Sequence, residues 1–296
     1  MATFTSYPAP WTTVTTDAII GPDGNLWVVT FDNHIYRFNT TTFVVTTFVV
    51  TGATALQGLC TDGTYVYAID QQAVTAPYTV VFKITTAGVS SVFFNSPTGV
   101  NGGNGHFDGT YIWVTSASHF WKLDLTGVAV TTYTAPINFG GGLINDGTYW
   151  WSGCAGYDNG ISQSSVSSPG TWTTFAAGLT ATNPSFPTVF AGGVVWFGNG
   201  DRALHSIVPS TGVVTNYALS LGFSSQQVCY DGTSLWATVG NFSIWQTTTS
   251  APSVGTSYNY STTTILYDPV TKAVWSTGNG FVVTTMTTPN HIVMVL

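Results

Sequence analysis

The sequence predicts an all-β fold, a seven-bladed β-propeller with four antiparallel strands per blade and a ring closed by a terminal strand. Three observations predict it: a motif that recurs about every 41 residues, an Asp-Gly or similar turn inside most copies, and a hydroxyl-rich composition almost without helix formers. The motif first reads GPDGNLWVVT at 21–30. It returns as TDGTYVYAI at 61–69, FDGTYIWVT at 107–115 and NDGTYWWSG at 145–153. Later copies are AGGVVWFGN at 191–199, YDGTSLWAT at 230–238 and YDPVTKAVWST at 267–277. One aromatic stays in register throughout: Trp27, Tyr67, Trp113, Trp151, Trp196, Trp236 and Trp275. A repeat of this length, with several short strands in each copy, is the mark of a propeller blade.

Asp-Gly supplies the positive φ that a tight hairpin needs, so each copy reads as two antiparallel strands joined by that turn. The aromatic on the second strand is a large apolar group suited to packing between neighbouring blades. One copy alone could not bury that face. The blades fall at about 17–50, 57–95, 103–135, 141–178, 187–220, 226–260 and 263–296, in a single domain spanning 1–296. Residues 1–10 resemble the fourth-strand segments and are expected to supply the closing outer strand, in competition with HIVMVL at the other end.

Composition narrows the partners. The chain is 6% charged, with net charge −7, 12 Asp, no Glu and 51 Thr. Nucleic-acid binding needs clustered Lys or Arg, which five scattered cations do not provide. No run of 18 apolar residues marks a membrane span, and the first residues lack the pattern of a secretory signal. Cys60, Cys154 and Cys229 show no metal-ligand spacing and read as free and buried. Arg37, Lys83 and Lys122 read as solvated rather than catalytic.

The first copy, GPDGNLWVVTFDNHIYRFNT at 21–40, resembles the repeats of the NHL and streptogramin-lyase-like propellers, and more distantly the gluconolactonase group. The resemblance implies the architecture. It also implies enzymes that hold a metal partly through Glu, and this chain has none, so the family's metal site does not carry over. No cofactor and no metal are expected, nor catalysis. No G-x-S-x-G elbow appears either.

Opposite the Asp-Gly turns, the loops between second and third strands gather Asn, Asp, Gln, Gly and aromatics. The candidate ligand-binding residues there are Asp32, Asn33 and His34, then Asp70 and Gln71, then His119. Further along come Tyr157, Asp158 and Asn159, then Asn199, Asp201 and Arg202, then Asn241 and Asn279. Glycine-rich NGGNGH at 101–106 and NFGGG at 138–142, with Trp11, read as blade-to-blade loops of the same face. A surface of amides, carboxylates and rings suits carbohydrate or a protein partner. His34 and His119 occupy equivalent places, and His205 lies three residues after Arg202, so a His pair with Asp32 or Asp201 is the alternative acid–base or metal arrangement.

The function expected from this reading is a non-enzymatic virion component, a bacteriophage tail, fibre or capsid-decorating protein. It would bind a glycan or other virion proteins and reside in the virion or outside the cell. The alternatives are a metal-dependent lyase or lactonase and a host extracellular adhesion or scaffold propeller.

Overall fold

The computed structural model describes residues 3–8, 10–11, 13–71, 79–97, 102–116, 119–134, 139–154, 160–175, 186–198, 203–219, 225–239, 243–253, 255–259, 264–271, 273–277 and 282–287. These residues form antiparallel strands in four-stranded sheets, and the chain divides into two compact units.

The unit of Thr13–Phe139 and Ser167–Trp172 holds three sheets. The first is β2 (Thr15–Ile20), β3 (Leu26–Thr30), β4 (His34–Phe38) and β5 (Val45–Val49). The second is β6 (Leu56–Thr61), β7 (Val66–Gln71), β8 (Thr79–Ile84) and β9 (Ser90–Asn95). The third is β10 (Gly102–Phe107), β11 (Ile112–Ser116), β12 (His119–Leu123) and β13 (Ala129–Thr134).

The unit of Met1–Thr12, Gly140–Val166 and Thr173–Leu296 holds the remaining four. The fourth sheet is β14 (Phe139–Asn145), β15 (Tyr149–Cys154), β16 (Gly160–Ser165) and β17 (Thr173–Phe175). The fifth is β18 (Phe186–Ala191), β19 (Val194–Gly198), β20 (Ala203–Ile207) and β21 (Val214–Ala218). The sixth is β22 (Ser225–Tyr230), β23 (Leu235–Val239), β24 (Ser243–Thr247) and β25 (Thr256–Asn259). The last joins β26 (Thr264–Asp268), β27 (Ala273–Thr277) and β28 (Val282–Thr287) to the N-terminal β1 (Thr3–Pro8). There β1 runs antiparallel to β28, with Thr3 opposite Thr287 and Pro8 opposite Val282. Proline is tolerated there because β1 is an edge strand. HIVMVL lies outside the described residues.

The expected closed ring is corrected. The strands form seven separate propeller-like sheets of four, the last completed by the N-terminal strand, and none of these sheets is closed into a ring. The physical reason is that a four-stranded meander satisfies its ladder within itself. Sheets then meet through side chains, and the sequence repeat fixes each sheet without fixing how the sheets close.

The register aromatics explain the repeat. In the second, third, fourth and sixth sheets an aspartate starts the turn and accepts two backbone amides through one oxygen. Its other oxygen accepts the aromatic five residues on: Tyr67 Oη to Asp62 (2.8 Å), Trp113 Nε1 to Asp108 (2.6 Å), Trp151 Nε1 to Asp146 (2.7 Å) and Trp236 Nε1 to Asp231 (2.7 Å). For Asp146 the two amides are those of Thr148 and Tyr149. The following glycine takes positive φ, 94° at Gly147, as the turn demands. The first sheet uses Asp23 four residues before Trp27 (2.9 Å), and in the fifth Trp196 donates to the Ala191 carbonyl instead (3.1 Å). The clamped rings then fill the space between sheets. Trp27 packs with Leu59, Val66 and Ala68 of the second sheet, and Trp236 with Ile265 and Val274 of the last.

Two further readings change. NGGNGH and NFGGG lie mainly in inner strands β10 and β14 rather than in loops. Glycine is needed where inner strands approach closely: a Cβ on Gly58 would sit 2.6 Å from the Gly103 carbonyl oxygen. Trp11 is fully buried. Among the described residues, the three cations are engaged rather than free. Lys83 and Lys122 sit 4.0 and 3.8 Å from the ring centres of Tyr65 and Tyr111, and Arg37 donates to the Thr86 carbonyl (2.6 Å). Cys60 and Cys229 are free and buried, and the Cys154 side chain is not described.

Candidate functional site

The candidate site lies in the first sheet, where β3 turns into β4 through Phe31, Asp32 and Asn33. The turn is fastened to the loops beside it. The Phe31 amide donates to Val14 O (3.0 Å), the Leu56 amide to Asp32 O (2.9 Å) and the Val50 amide to Asn33 O (2.9 Å). The Asp32 carboxylate accepts the Thr30 hydroxyl (2.8 Å), the His34 amide (2.8 Å) and the Thr13 hydroxyl (3.1 Å). Its Oδ1 also lies 3.2 Å from His34 Nδ1, an ion-pair distance without hydrogen-bond alignment. His34 stacks on Tyr36, with ring centres 6.1 Å apart.

Partial burial is the largest single influence on Asp32 and raises it. The amide, the two hydroxyls and the His34 ring together outweigh burial and hold the carboxyl below the usual carboxylate range. Burial, then the Asp32 charge, pushes the Tyr36 phenol up. Around this charged turn, Phe31 is 51% exposed and Val14 50% exposed, while the His34 and Asp32 side chains keep 35% and 29%. The arrangement is an apolar knob beside a fixed carboxylate and an imidazole. It can present a ring, a charge and a hydrogen-bonding edge in one rigid turn.

The other predicted residues are placed differently. Asp70 is fully buried at the end of β7 and accepts the amides of Thr54 (3.0 Å) and Ala55 (2.6 Å). The Gln71 amide donates to Ala55 O (2.9 Å). This pair therefore staples the loop that leads into its own sheet. His119 opens β12 and stacks flat on Trp121, with ring centres 5.4 Å apart. His205, in β20, is fully buried, with Nδ1 2.8 Å from Asn216 Oδ1. Tyr157, Asp158, Asn159, Asn199, Asp201, Arg202, Asn241 and Asn279 lie outside the described residues. Among the described residues, no three His, Cys or Asp side chains gather to hold a metal ion.

The sequence reading missed Phe31 and Val14 as exposed apolar groups. The only signal was an apolar residue beside Asp-Asn, where a polar turn residue is the norm. It also missed the aspartate clamps, although their constant five-residue spacing to the aromatic is visible in four copies.

No family model matches the chain, and no curated protein matches it. Solved structures do. Virginiamycin B lyase from Staphylococcus aureus superposes with TM-score 0.77 and 16% identity, covering 97% of this chain and 100% of that one. This chain resembles the lyase and WD40 propellers in fold. A catalytically inactive form of the same lyase with quinupristin matches equally, at 17% identity. The RRP9 WD40 repeats give 0.72 at 9% identity, covering 95% of this chain and 89% of that one. A chain of the mitotic checkpoint complex gives 0.71 at 12%, covering 94% and 89%. Identities this low carry the fold alone.

The expectation of a virion, bacteriophage or tail protein is corrected to a propeller-like repeat protein: nothing in these likenesses, which carry the fold alone, indicates a virion component. The composition that suggested it has an internal cause. Hydroxyls bond within the sheets: Thr115 Oγ1 accepts the Asn104 amide (3.0 Å), Thr238 Oγ1 the Gln227 amide (2.9 Å), and Ser162 meets Thr174 (2.7 Å). Among the described residues, no helix is long and apolar enough to cross a membrane.

Proposed function

We propose that the chain is a non-catalytic interaction scaffold whose β3–β4 turn in the first sheet docks a protein partner. The observation that carries this is the exposed Phe31–Val14 pair beside the ionised Asp32 and the half-exposed His34. An aromatic anchor with a polar rim is the usual build of a binding hot spot. The WD40 likenesses support the reading, one of them being a chain of a multiprotein complex. Among the described residues, Asp62, Asp108, Asp146 and Asp231 are committed to their turns and Asp70 to a loop.

Native mass spectrometry of complexes retained from cells tests it. The wild-type chain should hold a partner at fixed stoichiometry, and Phe31→Asp should lose it while keeping its melting temperature. Equal retention by both would overturn the assignment.

A second reading, a lyase, rests on the likeness to virginiamycin B lyase. Incubation with quinupristin, followed by liquid chromatography and tandem mass spectrometry for any new product, decides it. Turnover would replace the scaffold reading.

A further inference from the structure

Among the described residues, the outer strand of every sheet is uncharged: β1, β5, β9, β13, β17, β21 and β25 hold no Asp, Lys or Arg. An edge strand offers backbone donors and acceptors to any other strand, and proteins guard it with Lys, Pro, a bulge or shortness. Five of the seven have such a guard. β1 ends in Pro8, β9 and β13 are bulged opposite β8 and β12, β17 has three residues and β25 four. β5 and β21 have none, each running five residues in unbroken register.

The outward groups of both edges follow from their ladders. The Asn39 amide donates to Val44 O (2.9 Å) and the Val50 amide to Asn33 O (2.9 Å). Bonded and non-bonded residues alternate in an antiparallel pair, so Thr46 and Phe48 bond β4. The N–H and C=O of Val45, Thr47 and Val49 then point away from the sheet. By the same reasoning from the Val208 amide on Val213 O (3.1 Å), β21 turns out Val214, Asn216 and Ala218. Asn and Ala are poor strand formers, whereas Val and Thr are good ones. Thr47 is exposed and Val49 is 55% exposed. The outward residues of β5 also read alike in both directions about Thr47, as Val-Thr-Val.

We propose that β5 is a homodimerisation edge, at which two copies of this chain pair antiparallel across a twofold axis at Thr47 and join their first sheets into one. Thr47 faces Thr47 of the second copy, and Val45 faces its Val49. Each outward amide thereby meets an outward carbonyl, as an isologous contact requires. That symmetry selects a second copy as the occupant, and an uncharged edge sets no like charges against each other at the axis. One strand edge covers less than the roughly 800 Å² per partner of a stable complex, so the dimer exchanges rapidly, with Kd on the order of 100 μM. The two β3–β4 turns fall at opposite ends of the joined sheet, so this pairing is separate from the docking proposed above.

Analytical ultracentrifugation from about 10 μM to about 1 mM tests it, with amide hydrogen exchange to place the contact. Wild type should pass from monomer to dimer. The Val45, Thr47 and Val49 amides should gain about fivefold protection at the highest concentration, while the outward amides of β21 stay unchanged. Thr47→Lys and Thr47→Asp should each remain monomeric, and their equimolar mixture should dimerise. Phe31→Asp should leave the dimer intact, which separates this edge from the docking turn. A wild type that stays monomeric, protection gained on another strand instead, a dimer indifferent to Thr47→Lys, or a mixture that stays monomeric would overturn the proposal. Should the Thr47 variants not fold, the exchange pattern of wild type decides alone.

Discussion

The two ends of the first three sheets use carboxylates in opposite ways. At the Asp-Gly end the geometry repeats: Asp62 and Asp108 each take two turn amides and one aromatic donor, with Asp23 a one-residue-shorter version. At the β3–β4 end nothing repeats. Asp32 gathers two hydroxyls, an amide and an imidazole near the surface, Asp70 is buried under a loop, and the third sheet has Ser116 at the place of Asp70. A group that recurs with identical bonds serves the fold. A group whose surroundings are particular to one sheet is where recognition can be sought.

The sharpest way to break this contrast is Asp70→Ala. Removing the buried acceptor leaves the Thr54 and Ala55 amides unsatisfied, so urea unfolding should show a loss of about 3 kcal/mol. A loss near zero would mean that the loop finds water instead. At the repeated end, Asp146→Ala should cost about 2 kcal/mol, less because the turn is partly solvated. Combining it with Trp151→Phe should cost less than the sum of the two, since both remove one bond. Full additivity would show that the clamp carries no energy of its own.

Asp32 should reveal itself in acid. Its carboxyl is held below the ordinary value, so its contribution is present above pH 3.8 and lost as pH falls through the folded value below that. The unfolding midpoint of wild type should therefore converge on that of Asp32→Asn as pH falls below 3.8; a constant gap would remove the charge from the explanation. The smallest effect is the one that defines a recognition residue. Phe31→Ala should change stability by no more than about 0.5 kcal/mol, measured by thermal melting, because the ring is half exposed.

Much of the sheet architecture is legible in the sequence. The Asp-Gly turns, the strand after each, and the aromatic register all follow from local rules of turn chemistry and pleat. Asp32, Asn33 and His34 are legible as neighbours because they are adjacent in the chain. Asp70 is not legible as a staple, because its partners, Thr54 and Ala55, depend on where a loop folds back. The inner strands at 102–107 and 139–145 are misread as loops because glycine there answers a neighbouring backbone, not a turn.

By itself the sequence determined the sheet: its period, its turns, its aromatic register and its shortage of charge. These rest on contacts within about five residues or between adjacent strands. Only the tertiary structure decided that the sheets divide between two compact units, that Asp17 bonds the second sheet and Gln227 the last, and that Phe31 stays exposed while Trp11 is buried. Those outcomes depend on side chains meeting across sheets. A repeat that makes every sheet alike says nothing about which few positions in it will be left to meet another molecule.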